Sequence, residues 1–124
     1  MAKELRLATS LKYAKGNLGG AWSQNVTVNI SGNEYADQLQ TIGETTSVPI
    51  EFASIVTVGY YQITNTDATN SIDISYDAGV TFPIRLQPTQ TMLVPNNATA
   101  APVPVVHAKA NTAPAVVTVR AISA

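Results

Sequence analysis

The sequence contains no cysteine. That absence excludes a disulfide framework, a thiol nucleophile and a thiolate-ligated metal together. A single histidine, His107, is the one side chain that ordinarily titrates near neutrality, so acid–base catalysis would have to be built around that ring. Charge is scarce as well: Asp, Glu, Lys and Arg make up 12% of the chain, about half the share usual in a globular domain. With seven basic and eight acidic residues, net charge −1, there is no basic footprint for tracking phosphates. No apolar run approaches the roughly 18 residues of a membrane span. The opening Met1-Ala2-Lys3-Glu4-Leu5-Arg6 returns to charge at once instead of entering a secretory apolar stretch. These absences predict a chain made and kept in a cytosol, with neither nucleic acid nor membrane among its partners.

What is present is a chain of 124 residues, 45% hydrophobic, whose polar surface is mostly uncharged Thr, Ser, Asn and Gln. Surface scaling predicts that such a chain buries roughly two-thirds of its area on folding, enough for one core without a staple. The periodicity is that of strands. Leu5, Leu7, Leu11 and Tyr13 share odd positions against Glu4, Arg6 and Lys12, which predicts an extended N-terminal arm with one apolar face. The run Lys15-Gly16-Asn17-Leu18-Gly19-Gly20 predicts a flexible loop. Val26, Val28 and Ile30 then alternate with Asn25, Thr27 and Asn29 as a half-buried strand, stopped by Ser31-Gly32-Asn33. The expected division is therefore 1–23, arm and glycine loop, and 24–124, the main domain.

Within 34–42, Tyr35, Leu39 and Ile42 fit a helical face, while Gly43 and the following threonines favour extended pieces; the reading here is strand. Val48-Pro49-Ile50-Glu51-Phe52 reads as an edge strand, because proline removes a ladder donor. The β-branched and aromatic run 55–63 reads as a central strand. Ile72, Ile74 and Tyr76, then Val80, Phe82, Ile84 and Leu86 across Ala78-Gly79, read as a hairpin. A Pro- and Ala-rich stretch over 95–104 precedes two last strands near 105–110 and 115–122. Many short strands with frequent turn signals predict an all-β, antiparallel β-sandwich, jelly-roll-like.

Few residues offer chemistry. His107 lies among apolar neighbours with no nucleophile elbow nearby, and reads as structural. Asp73 and Asp77 fall roughly 13 Å apart along one strand, beyond the spacing of a glycosidase pair. Asp67 with Asn65 and Asn70 offers oxygen ligands for calcium, but one carboxylate is thin, and an Asx turn is the preferred reading. The glycine run has neither the Gly-Lys-Ser/Thr ending nor the following helix of a phosphate cradle. Trp22, Tyr60 and Tyr61 could cover a sugar face, but adjacent strand residues point to opposite faces, so the two tyrosines cannot share a groove. Trp22 fits an interface anchor as well as a ligand contact.

The segment Gly59-Tyr60-Tyr61-Gln62-Ile63-Thr64-Asn65-Thr66-Asp67-Ala68-Thr69-Asn70, followed by Ile72-Asp73-Ile74-Ser75-Tyr76, resembles a small virion structural protein of tailed bacteriophages. Ser31-Gly32-Asn33-Glu34-Tyr35, Ile84-Arg85-Leu86-Gln87-Pro88 and His107-Ala108-Lys109-Ala110-Asn111-Thr112 extend the resemblance over roughly residues 24–122. The pattern departs after Pro88, where Thr89-Gln90 replaces the family's Gly-Glu.

The resemblance implies a small β-sandwich subunit present in many copies, without enzyme activity or cofactor, located in the virion and assembled in the host cytoplasm. A capsid cement or decoration protein is the first function class, with the major capsid protein and copies of itself as partners. A tail, neck or fibre-associated subunit, reading host carbohydrate through Trp22 and the tyrosines, is the second. The arm lies outside the resemblance. The interface candidates are Leu5, Leu7, Leu11, Tyr13 and Trp22.

Overall fold

The computed structural model describes residues 5–29, 34–55, 58–95 and 106–123, and the chain forms two compact units, Met1–Ser31 and Gly32–Ala124. Ile30, the Ser31-Gly32-Asn33 turn, Val56, Thr57 and all but Pro95 of the Pro/Ala stretch lie outside the described residues.

The first unit is a hairpin of β1 (Leu5–Lys15) and β2 (Leu18–Val28), paired without interruption from Leu5 opposite Val28 to Lys15 opposite Leu18. Gly16-Asn17 closes it, with Gly16 at φ 58°, the position where a two-residue hairpin turn of primed type takes glycine. The break expected over 15–20 is thus confined to two residues. Gly19 and Gly20 continue the strand, and Gly20 sits beneath Tyr13: a Cβ there would lie 2.6 Å from the phenol oxygen and 2.7 Å from Cζ. The ring occupies the space that glycine leaves open and covers its backbone. Pairing also carries β2 past the expected boundary at residue 24, so Gln24 to Val28 belong to the arm's hairpin and not to the sandwich.

The second unit is all-β. Its strands are β3 (Tyr35–Ile42), β4 (Val48–Pro49), β5 (Val58–Asn65), β6 (Ile72–Ser75), β7 (Ile84–Leu86), β8 (Thr91–Pro95), β9 (His107–Ala110) and β10 (Ala115–Ser123). They form two four-stranded sheets, ordered β3-β10-β5-β8 and β4-β9-β6-β7, with every pairing antiparallel. The arrangement is a sandwich. Tyr61, Ile63, Val117 and Val119 from one sheet join Ile72, Ile74, Ala108 and Ala110 from the other in one buried cluster. Phe52 meets Tyr61 edge to face, ring centres 5.3 Å apart.

Segment 35–42 is a strand because its even positions face inward: Ala36 and Ile42 are buried while Tyr35 and Leu39 are exposed. Between them, Gln38 and Gln40 bind across to the segment beside β4. Gln38 Nε2 donates to the Glu51 carbonyl (2.6 Å), and Gln40 Nε2 to that of Pro49 (2.8 Å), while Gln40 Oε1 accepts from Glu51 N–H (3.0 Å). Two side-chain amides thereby tie the edge of one sheet to the edge of the other. The proline strand does lie at an edge, and β5 is an inner strand of its sheet. The expected tight hairpin at Ala78-Gly79 is instead β6 and β7 joined by a longer loop, with Ile74 opposite Ile84. Val80, read as a strand residue, is 78% exposed, because Asp77 captures the N–H groups of Val80 and Thr81 and holds the chain in a turn.

Asn65 closes the sandwich at the end of β5. Fully buried, it donates from Nδ2 to the carbonyls of Asn70 (2.8 Å) and Leu86 (3.1 Å) and accepts at Oδ1 from Asp67 N–H (3.0 Å). Its backbone N–H and C=O pair with Gln90 and Thr89. In the turn there Thr89 has φ 69°, a left-handed conformation disfavoured for a β-branched residue. Gln90 braces the turn, its Oε1 accepting from Gln87 N–H (2.8 Å).

Asn65→Ala is expected to lower stability by about 3 kcal/mol, since it strands buried partners as well as removing packing. Thr89→Gly is expected to raise stability by up to about 1 kcal/mol, the relieved backbone strain outweighing glycine's extra unfolded entropy. Denaturant midpoints at constant slope check both.

Candidate functional site

Cross-strand partners in an antiparallel pair point to the same side, so the hairpin register sorts its residues into two faces. One carries Leu5 opposite Val28, Leu7 opposite Val26, Thr9 opposite Gln24, Leu11 opposite Trp22, Tyr13 opposite Gly20 and Lys15 opposite Leu18. The other carries Arg6, Ala8, Ser10, Lys12 and Ala14 against Thr27, Asn25, Ser23, Ala21 and Gly19. Apolar bulk is confined to the first. All five interface candidates, Leu5, Leu7, Leu11, Tyr13 and Trp22, fall on it, and the register adds Leu18, Val26 and Val28.

This face is open to solvent. Trp22 is 71% exposed, Leu18 69%, Leu11 55%, Tyr13 48% and Val26 39%; Leu5, Leu7 and Val28 are half-buried. A folded domain ordinarily keeps such side chains scattered, whereas here they align along one face. The addition of Val26 and Val28 was open to sequence reasoning only through the turn: once Gly16-Asn17 is taken as a two-residue connection, positions on the two strands sum to a constant and the faces follow.

The carboxylates considered for chemistry are engaged elsewhere. Asp73 forms a two-point ion pair with Arg85 directly across β6 and β7 (Nε–Oδ1 2.6 Å, Nη2–Oδ2 3.1 Å). Asp67 accepts from the N–H and hydroxyl of Thr69 and from the N–H and amide of Asn70, all at Oδ1. Four donors converge on that one oxygen, and the segment is the Asx turn that the sequence favours. Among the described residues no group of acidic or His side chains is placed to hold a metal. His107 lies on β9 opposite Pro49 and Ser75, with Nδ1 buried and without a partner. The Ser75 hydroxyl is committed to Asp77 (2.6 Å) and does not form a nucleophile–base pair with it.

Tyr61 is buried and Tyr60 half-buried on the opposite side of β5, as strand alternation requires. Burial, with a hydrogen bond to Tyr76, pushes the Tyr61 phenol well above its ordinary value. A second apolar place, not singled out in the sequence, is the outer side of β3, where Tyr35 (78% exposed) lies beside Ile122 and Leu39 (71%) beside Thr118.

Hydrogen bonds hold the Asp67 and Asp77 carboxyls below the usual carboxylate range: Asp67 mainly through the N–H groups of Asn70 and Thr69, Asp77 mainly through the Ser75 and Thr81 hydroxyls. A depressed folded-state value contributes stability above the unfolded value near 4, and that contribution is lost as pH falls toward the folded value. The melting temperature should therefore hold between about pH 7 and 5 and fall below about pH 4. Asp77→Asn should lower it at neutral pH and flatten the acid limb, as a thermal series over pH would record.

Comparison with family models, with curated proteins and with solved structures finds no match.

Proposed function

We propose that this chain is a structural subunit of a tailed-phage particle, a capsid cement or decoration protein that binds the assembled shell as a homo-oligomer. The observation that carries a binding role is the hairpin's exposed apolar face, since large apolar side chains aligned in water are the mark of a surface that is covered in use.

The sandwich is read as a jelly roll. Supporting this, its strands pair as a nest, β3 with β10, β4 with β9, β5 with β8 and β6 with β7, alternating between the two sheets. A long hairpin rolled up on itself produces that order, and it recurs in viral capsid and lectin domains. Fold alone does not select a role; the phage assignment rests on the turn-and-strand resemblance over residues 24–122. Its segments recur in the fold as structural joints. Asn65 to Asn70 form the Asx turn that closes β5, and Asn111 accepts from Ser71 N–H (3.1 Å) ahead of β10. A charge-poor surface suits a subunit surrounded by neighbours, and many copies on one lattice make individually weak contacts sufficient.

Cosedimentation of the full chain with expanded empty shells and, separately, with tails of the same phage tests the assignment. Saturable binding to shells at a symmetric stoichiometry is expected. Binding to tails alone would transfer the protein to the tail, and binding to neither would overturn the virion reading.

A further inference from the structure

We propose that the apolar face of the hairpin is covered by the same face of a second copy, so that two hairpins pack into a small four-stranded sandwich. This deepens the homo-oligomer of the proposed function and assigns the face to the contact between copies, leaving the shell to other surfaces of the pair.

The first argument is stability. A two-stranded hairpin is marginal in water, and β1 and β2 are each eleven residues long with most side chains exposed. A second sheet against the apolar face is the standard remedy, and two stacked sheets lie about 10 Å apart with their inner side chains interdigitated.

The second argument is area. Trp22, Tyr13, Leu11, Leu18 and Val26 together expose on the order of 500 Å² at the fractions given above. Two copies therefore bring about 1,000 Å² to the contact, the lower limit for a specific interface. A copy of the chain is always present at matching concentration.

The third argument is complementarity along the face. With a two-fold axis across the Thr9–Gln24 level, each Trp22 lies over the other copy's Val26 and each Tyr13 over its Leu5. Large side chains then meet smaller ones, and the polar Thr9 and Gln24 meet their own counterparts on the axis as hydrogen-bond partners. Charge selects this tip-to-base arrangement. The described hairpin residues hold Arg6, Lys12 and Lys15 and no carboxylate. Arg6 and Lys12 lie on the outward face, and Lys15, at the tip, is kept at opposite ends of the pair.

The chain's single tryptophan makes the test direct. Sedimentation equilibrium of the full chain over the micromolar range should show a dimer or an even multiple. Trp22 emission should shift to the blue, and its quenching by acrylamide should fall, as concentration rises. Leu11→Lys places a charge on the apolar face and should weaken association at least tenfold with red-shifted emission, while Ser10→Lys, the same residue on the opposite face, should behave as the parent. Circular dichroism of both variants checks that the sandwich remains folded. A monomeric parent with freely quenched Trp22 would overturn the proposal. So would equal dissociation by both variants, which would mean loss of the hairpin itself, or a dimer untouched by either, which would move the contact to a surface such as Tyr35 and Leu39.

Discussion

The buried amide of Asn65 is the joint on which the sandwich depends. It stands at the end of an inner strand of one sheet, yet its Nδ2 reaches the Leu86 carbonyl at the end of an edge strand of the other. Through Oδ1 it sets the start of the Asx turn, and through its backbone it anchors the turn that launches β8. An amide suits this place because it donates twice and accepts at once, with no charge to desolvate. Aspartate would aim negative charge at two carbonyls, and leucine would leave them unpaired.

The same logic recurs outward from that joint. Asp67, Asp77, Gln38, Gln40 and Gln90 spend their side chains on backbone groups of neighbouring turns and edges. This explains how a chain poor in charge and free of cysteine holds its loops: side-chain hydrogen bonds from amides and from two carboxylates do the work that disulfides do elsewhere. It also explains what Asp67, Asp73 and Asp77 do in the fold: each carboxylate already accepts from neighbouring donors. The hairpin differs in kind, since among its described residues it has strand pairing and an apolar face but no comparable web of side-chain bonds.

Much of the sandwich was legible in the chain. The parity of Tyr60 and Tyr61, the edge position of Val48-Pro49, the Asx turn at Asp67 and the alternation in β10 all follow from period-two geometry and turn chemistry. That Leu5, Leu7, Leu11 and Tyr13 share one face was legible for the same reason, as odd positions of one strand. Two places misled. Gly19 and Gly20 read as a loop because sequence does not show that both pair with β1 and that Tyr13 covers Gly20, and Val80 and Phe82 read as strand because the pull of Asp77 on the N–H groups of Val80 and Thr81 is invisible in a hydropathy pattern.

By itself the sequence determined the all-β class, the faces of single strands and the chemistry of the turns, because these depend on residues a few positions apart. Only the tertiary structure decided that Gln24 to Val28 pair with the arm, that Gln38 and Gln40 clip one sheet to the other, and that Asn65 reaches Leu86. Backbone hydrogen bonds are the same for every residue, so local sequence carries no label for a distant partner; partners are chosen when whole faces are buried together.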